Sequence, residues 1–140
     1  AHHVMTLATV GAAGAHAASL MYARAGFTLQ WTSDPQSRHS QYLERDARVT
    51  ATVAPDYADF RAIRGLQIAG RARRLGGSEA EEARAALVVR YEFLAELASG
   101  PPKLRAAFEK AAFYAAVPER ITLIDNARGF GHKDTLVLAP

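Results

Sequence analysis

Apolar and polar positions alternate in short runs through the first third of the chain. Residues 4–10 predict a strand with apolar side chains on both of its faces. The small residues 11–14 predict a turn, and residues 17–24 predict the strand that returns beside the first. Residues 27–31 predict a third strand, and the β-branched run 49–53 predicts a fourth. The first half of the chain therefore reads as hairpin-connected strands.

Two longer runs predict further strands. Residues 63–75 alternate over an unusual length, and Gly65 and Gly70 would let this fifth strand bend as a barrel corner requires. Residues 114–125 predict a sixth strand, in which Pro118 marks an edge or a bulge because proline has no N–H for the ladder. These two runs are long enough to form the centre of a sheet.

Helical patterns are inserted between the strands. A short helix is expected at residues 37–45. A longer one is expected at residues 78–93, with Ser78 and Glu81 in a capping box, and a third at residues 104–113. Residues 136–138 close the chain as a last strand. Strands in hairpin order with few helices between them favour an antiparallel, mainly β, α+β fold, and the length of residues 1–140 fits a single domain.

Composition narrows the function classes. The chain has 140 residues, no cysteine and a formal net charge of +3, so disulfides and cysteine chemistry are excluded and the charge is only mildly basic. Neither a cationic-apolar leader nor a long apolar run is present, which predicts a cytoplasmic protein that does not span a membrane. The arginines are densest in residues 61–74 but lack interleaved aromatics, so we expect no nucleic-acid partner.

The segment 32–53 carries the most specific chemistry. Ser37 is placed to cap the helix with its hydroxyl as acceptor, and Arg38 and His39 occupy the first helical turn. Cations there oppose the positive end of the helix dipole unless an anion lies between them. Free N–H groups, hydroxyls, a guanidinium and an imidazole at one point form a phosphate-binding site. The alternative is a solvated loop with an isolated arginine.

Other catalytic motifs are missing from the sequence. It contains no P-loop, no dinucleotide fingerprint and no nucleophile elbow. None of the five histidines forms an i,i+4 pair with a glutamate, and nothing in the spacing of His39 and His132 supports a metal or haem site, so no metal is expected. No general base stands out among the aspartates, which fall in or beside turns.

The order of these signals resembles the pyridoxamine 5'-phosphate oxidase-like FMN-binding split barrels over nearly the whole chain. The matching pieces are VMTLATV at 4–10, SRH at 37–39 with the following helix and strand entry, IRGLQIAG at 63–70 with Arg73-Arg74-Leu75 and Glu79, and DN at 125–126 with GFGHK at 129–133. The last piece is closest to a subgroup of small bacterial members. His39 stands where many members have lysine, a change that makes one phosphate contact pH-dependent.

The resemblance implies a six-stranded antiparallel split β-barrel that forms a homodimer with FMN in clefts between the subunits. The residues that would bind the FMN phosphate are Thr32, Ser33, Ser37, Arg38 and His39. Those that would contact the rest of the cofactor are Ser19, Leu20 and Met21 under the isoalloxazine, with Arg64 and Gln67 reaching it from the same or the partner subunit. Residues for pyridoxamine phosphate are not recognisable, which leaves the small-molecule substrate unknown.

The expected function is that of an FMN-dependent oxidoreductase. Two alternatives stay open on the same fold. One is a flavin- or haem-binding protein without turnover, which the lack of a general base permits. The other is a deazaflavin-dependent reductase.

Overall fold

A computed structural model describes residues 2–138 as one mainly β unit. Its strands are β1 Val4–Gly11, β2 Gly14–Met21, β3 Ala23–Ala25, β4 Thr28–Ser33, β5 Arg48–Val53, β6 Arg64–Arg74, β7 Ala112–Asp125 and β8 Lys133–Val137. Its helices are α1 Arg38–Arg45, α2 Gly77–Arg90, α3 Glu92–Ala98 and α4 Pro102–Lys110, with short 3-10 turns at Phe60–Ala62 and Asn126–Arg128.

All strands join one antiparallel sheet. Its order is β2-β1-β5-β6-β7-β4-β3, and β8 pairs with β7 beside β4. β2 and β3 are the two ends of this order, yet only Tyr22 separates them in the chain. The sheet therefore curls into a half-barrel whose ends are joined through one buried residue. The antiparallel α+β prediction is confirmed, and the count of six strands was too low.

The strand count differs for a physical reason. The expected return strand at 17–24 is two strands, because its first part pairs with β1 and its second part pairs with β4. Tyr22 lies between them with its side chain buried and its N–H on the His3 carbonyl oxygen. The last strand also begins earlier than expected, at Lys133, and extends the sheet along β7.

The half-barrel encloses one core, and the helices cover a second. Buried side chains from the inner face of the sheet, including Met5, Leu7 and Trp31, pack with Leu43 of α1 in the first core. In the second core, α2, α3 and α4 pack on the opposite face of β3, β4 and β7. The helices thus cover one end of the sheet and leave the outer face of β1, β2 and β5 exposed.

Two helix boundaries depart from the predictions. α2 begins at Gly77 and its N-cap is Gly76, so the predicted capping box on Ser78 is wrong. The first-turn acid Glu79 instead pairs with Arg73, with Nη1 and Oε1 3.1 Å apart. The predicted helix over 78–93 ends at Arg90, because Tyr91 is extended and its hydroxyl donates to backbone carbonyls of the β2–β3 region and the N-terminal segment.

The third predicted helix is also shifted. α4 starts at Pro102, where a missing N–H costs nothing in the first turn, and ends at Lys110. Phe113, which the pattern had placed in this helix, lies in β7 and its carbonyl accepts the Leu75 N–H. Within residues 2–138, no helix is long and apolar enough to cross a bilayer.

The predicted bulge at Pro118 is confirmed. The register of β6 and β7 shifts between Ala69 and Gly70, so that Gly70 lies opposite Pro118 and Glu119 is skipped. A Cβ on Gly70 would lie 2.2 Å from the Val117 carbonyl oxygen and 2.9 Å from the Pro118 Cα. The two backbones approach each other more closely than any side chain at position 70 would allow.

We therefore expect Gly70→Ala to lower the free energy of unfolding by about 1–3 kcal/mol, the usual cost of forcing an extra atom into a packed site. Chemical denaturation measured by circular dichroism would report it. Ala58→Ser is the control, because it also adds one heavy atom but does so at an exposed bend outside the sheet and the helices. Equal stability of the two variants would show that the backbones are not this close.

Candidate phosphate and flavin site

The turn between β4 and α1 is fixed by its own hydrogen bonds. The Asp34 carboxylate accepts the Gln36 N–H at 2.8 Å, and the Ser37 N–H donates to the Asp34 carbonyl oxygen at 3.0 Å. Pro35 between them cannot extend the ladder. This turn ends β4 at Ser33, two residues later than predicted, and begins α1 at Arg38, directly after the predicted first residue of the helix.

Three hydroxyls and an imidazole meet at this turn, and we call them the serine–histidine cluster: Ser33, Ser37, His39 and Ser40. The His39 Nε2 lies 2.8 Å from the Ser33 Oγ and 3.3 Å from the Ser37 Oγ. The Ser37 Oγ lies 2.7 Å from the Ser40 Oγ. His39 and Ser40 are buried, so the cluster is held rigidly where the helix begins.

Ser37 is the N-cap residue, but its hydroxyl does not cap the helix as predicted. The hydroxyl donates to the Asp34 carbonyl oxygen at 2.7 Å instead of accepting a first-turn N–H. Within the described chain, no side chain caps α1, and its first turn contains no acid. The positive end of the α1 dipole is therefore left uncompensated.

Arg38 adds a further positive charge at the same end. Its side chain is exposed, and no carboxylate in residues 2–138 lies within 4.0 Å of its guanidinium. Arg48, by contrast, is bound to Asp46 at 2.7 Å. Arg38 is thus available to a ligand that carries negative charge.

The pKa of His39 is lowered, first by burial and then by the nearby His16. Both causes disfavour the charged imidazole. In the free protein His39 is therefore mainly neutral near pH 7, because an ordinary histidine already titrates at about 6.5. A bound anion would act in the opposite direction and raise this pKa.

His16 is the site residue that the sequence interpretation missed. It lies on β2, and its ring stacks parallel to that of His39 with centroids 6.4 Å apart. The Tyr42 ring meets His16 edge-on at 6.2 Å. Only the long-range packing of α1 against the first hairpin brings His16 here, so no local sequence pattern identifies it.

Thr32 points away from the cluster. Its hydroxyl donates to the Ala112 carbonyl oxygen at 2.9 Å, across the β4–β7 pair. Of these two predicted phosphate residues, Ser33 is the one in contact with His39.

The other predicted cofactor residues lie on the sheet. Ser19 and Met21 face outward from β2 and are exposed, whereas Leu20 turns inward against the core. Gln67 lies on the outer face of β6, in a groove of about 380 Å³ with Thr52, Arg120 and Thr122 among its lining residues.

The strand register connects these residues. Ser19 pairs with Thr6, Thr6 with Thr52, and Thr52 with Gln67, which gives one row across four strands. At about 4.8 Å per strand, Ser19 and Gln67 are roughly 14 Å apart on the same face. They cannot touch one small group within a single chain, but both lie on the exposed outer face.

Arg64 is separate from this row. It is three positions from Gln67 and so belongs to the opposite face of β6. Its Nε lies 3.4 Å from the Oδ2 of the buried Asp125. Arg64 therefore has a structural partner in the chain, unlike Arg38.

Four of the five arginines in the segment 61–74 form ion pairs, so the segment is not one continuous cationic surface. The pairs are Arg61 with Asp59, Arg64 with Asp125, Arg71 with Glu119 and Arg73 with Glu79. The two histidines considered for a metal are also apart: His39 contacts serines, and the His132 Nε2 lies 3.1 Å from Asp134. Across residues 2–138, no three metal-ligating side chains converge.

Sequence comparison identifies bacterial relatives of this chain. A UPF0306 protein of Klebsiella pneumoniae is 33% identical over 101 residues, which are 72% of this chain and 60% of the relative. The chain thus spans about 60% of the length of that relative.

Solved structures share the fold. A heme-binding protein from Mycobacterium smegmatis superposes with a TM-score of 0.76 at 22% identity, covering 97% of this chain and 53% of that one. A FAD-binding protein from Mesorhizobium loti superposes with a TM-score of 0.65 at 20% identity, covering 86% and 84% of the two chains. At these identities the likeness concerns the fold alone.

The sequence profile described as pyridoxamine 5'-phosphate oxidase matches residues 1–124, from the first strand through the bulge and nearly to the end of β7. That span contains the turn, the uncapped helix and the outer sheet face described above. The chain therefore belongs to the pyridoxamine 5'-phosphate oxidase family.

Proposed function

We propose that the protein binds FMN, with the phosphate at the N-terminus of α1 and the flavin ring along the outer face of the sheet. The observation that carries this proposal is the uncompensated positive end of α1, where Arg38 has no carboxylate partner within residues 2–138. A phosphate monoester supplies the missing negative charge and accepts several hydrogen bonds at once.

The donor set suits a phosphate. Ser33 offers a hydroxyl, Arg38 a guanidinium, and the first turn of α1 its free N–H groups. The Ser37 hydroxyl would join them by exchanging its bond to the Asp34 carbonyl oxygen for one to the phosphate. The nearest acid in the turn, Asp34, has its carboxylate engaged by the Gln36 N–H. The site is thus rich in donors, and a dianion would meet little repulsion there.

The ring of the cofactor would lie near β2. Ser19 and Met21 are exposed on this edge strand, and Gln67 faces the same side of the sheet. Flavin supplies the electron-transfer chemistry when it is bound, while the protein binds and orients it and excludes water. Family membership and the FAD-binding relative support a flavin as the ligand.

We further propose that the protein is a homodimer that uses this outer face. β1 and β2 contain no Asp, Glu, Lys or Arg. Val4, Val10 and Met21 are 49%, 43% and 41% exposed on this surface. This charge-free part of the outer face, bordered by Arg48 on β5, has the exposed apolar side chains that are typical of the centre of an interface. A second subunit would also complete a site that one chain spreads over about 14 Å.

Flavin-dependent oxidoreduction is the activity that this site supports best, with an unidentified small-molecule substrate. A carrier of flavin or haem without turnover is the second candidate, supported by the likeness to a heme-binding protein and by the absence of a carboxylate base in the serine–histidine cluster. The deazaflavin alternative has no separate structural support. Reduction of the bound flavin by NADH or NADPH, followed by absorbance, separates an enzyme from a carrier.

Arg38→Ala should weaken FMN binding about ten- to a hundredfold, because it removes charge-assisted hydrogen bonds worth about 1.5–3 kcal/mol. Riboflavin has no phosphate, so its affinity should stay the same. Isothermal titration with both ligands measures the effect. Arg45→Ala is the matched control, since Arg45 is an exposed arginine in the last turn of the same helix. An FMN affinity unchanged by Arg38→Ala would exclude the helix terminus as the phosphate site.

Ala8→Arg should convert the dimer into a monomer, because it places a charge in the middle of the outer face, between Ala17 and Thr50. Light scattering at micromolar protein with saturating FMN would show the change in mass. Ala85→Arg, on the exposed side of α2, should leave the dimer intact. A wild-type monomer under these conditions would contradict the proposal.

A further inference from the structure

The position of His16 is set by the first hairpin and by α1 together. His16 pairs with Thr9 across β1 and β2, and its ring lies parallel to that of His39, with an interplanar angle of 1°. Gly11 makes this packing possible, because a Cβ there would lie 2.4 Å from the Tyr42 ring. With Tyr42 seated against the hairpin, α1 presents His39 directly to His16.

The surroundings of the two imidazoles are polar but carry no negative charge. His39 faces Ser33 from β4, Ser37 from the turn and His16 from β2. His16 is flanked by Tyr42 from α1. In the part of the chain that the structure describes, no carboxylate lies within 4.0 Å of either ring.

Two adjacent imidazoles without an acid repel each other when both are protonated. The lowered pKa of His39 reflects burial first and that repulsion second. In the free protein His39 therefore carries less positive charge than an isolated histidine would. An anion placed between the rings and the end of α1 would remove this penalty.

We propose that His16 is a second imidazole of the phosphate site, and that a phosphate monoester binds beside it together with proton uptake at His39. The inference rests on the proposed FMN function and deepens it. The contribution of His16 would make the site selective for a dianionic phosphate group and would make FMN affinity depend on pH. It would also add a residue of the edge strand β2 to those that bind the ligand.

The same strand would then contact both ends of the cofactor. His16 precedes Ser19 by three residues, which is about 10 Å along β2 at the usual rise. His16 faces α1, and Ser19 and Met21 face outward. β2 would thus bind the phosphate near its middle and the flavin ring at its C-terminal end.

The direction of the pH effect follows from linkage. A ligand that raises the pKa of a group binds most tightly below the pKa of the free protein, and its affinity falls as pH rises through the pKa of the complex. The FMN phosphate has a second pKa of about 6, so about half of it has lost the dianionic form at pH 6. After this roughly twofold loss, the dissociation constant of FMN should still be about fivefold lower at pH 6 than at pH 8, a coupling within the range typical for linked sites. Riboflavin affinity should be the same at both pH values.

His16→Gln tests the role of this residue. The variant should bind FMN about tenfold more weakly at pH 6, as expected for loss of one charge-assisted hydrogen bond, and its affinity should depend less on pH. His132→Gln is the matched control, because His132 contacts Asp134 in the β7–β8 region and not α1. Fluorescence quenching of the flavin at pH 6 and pH 8 provides both sets of constants.

The opposite sign would overturn the inference. If His16 only repels His39, its removal raises the pKa of His39, and FMN would bind as tightly or more tightly at pH 6.

Titration of FMN into wild-type protein, followed by calorimetry in two buffers of different ionisation enthalpy, gives a check that does not depend on the folding of a variant. Proton uptake near pH 7 on FMN binding supports the proposal, and none contradicts it. A wild-type protein that binds FMN no better than riboflavin at either pH would instead overturn the proposed function itself.

Discussion

The positive end of α1 is the constraint on which the proposed site depends. A helix that begins with Ser37, Arg38 and His39 would ordinarily use the serine hydroxyl as a cap and place acids in its first turn. Here the hydroxyl is directed to the Asp34 carbonyl oxygen, and within residues 2–138 no other side chain replaces it. The helix keeps this arrangement because its other face, through Leu43 and Ser40, is buried against the half-barrel. The packing of its buried face thus holds the helix in place although its N-terminus is electrostatically unfavourable. An anionic ligand that binds there gains the electrostatic attraction that the protein leaves unused.

The sheet positions this helix end relative to the exposed face. Curling of the sheet brings β2 beside α1 at one end of the strand order, and the bulge at Gly70 and Pro118 accompanies the bend of its two longest strands. β2 consequently has one side against α1, at His16, and another on the open surface, at Ser19 and Met21. An edge strand of this kind can bind an extended ligand at both ends, with the charged group beside α1 and the planar ring on the open surface.

Local chemistry was readable from the sequence. The turn before Ser37, the short helix that follows it and the bulge at Pro118 each depend on a few adjacent residues, and all three were predicted at the right positions. Family membership was also predicted, because the order of several weak motifs is specific even when each motif is not.

Features that depend on distant contacts could not be read in this way. The division of the second strand at Tyr22 follows from closure of the sheet, which gives neighbouring residues different partner strands. The direction of the Ser37 hydroxyl is a choice between two nearby acceptors, which local pattern does not decide. The contact between His16 and His39 joins residues 23 positions apart in the sequence, and it exists only because α1 packs on the first hairpin.

The most direct measurement is the ratio of the dissociation constants of riboflavin and FMN for the wild-type protein at one pH and salt concentration. If the phosphate is held at the end of α1, FMN should bind at least about tenfold more tightly than riboflavin, since even one charge-assisted hydrogen bond has that worth. Equal affinities for the two ligands would mean that the phosphate makes no net favourable contact, and would contradict the account of this site.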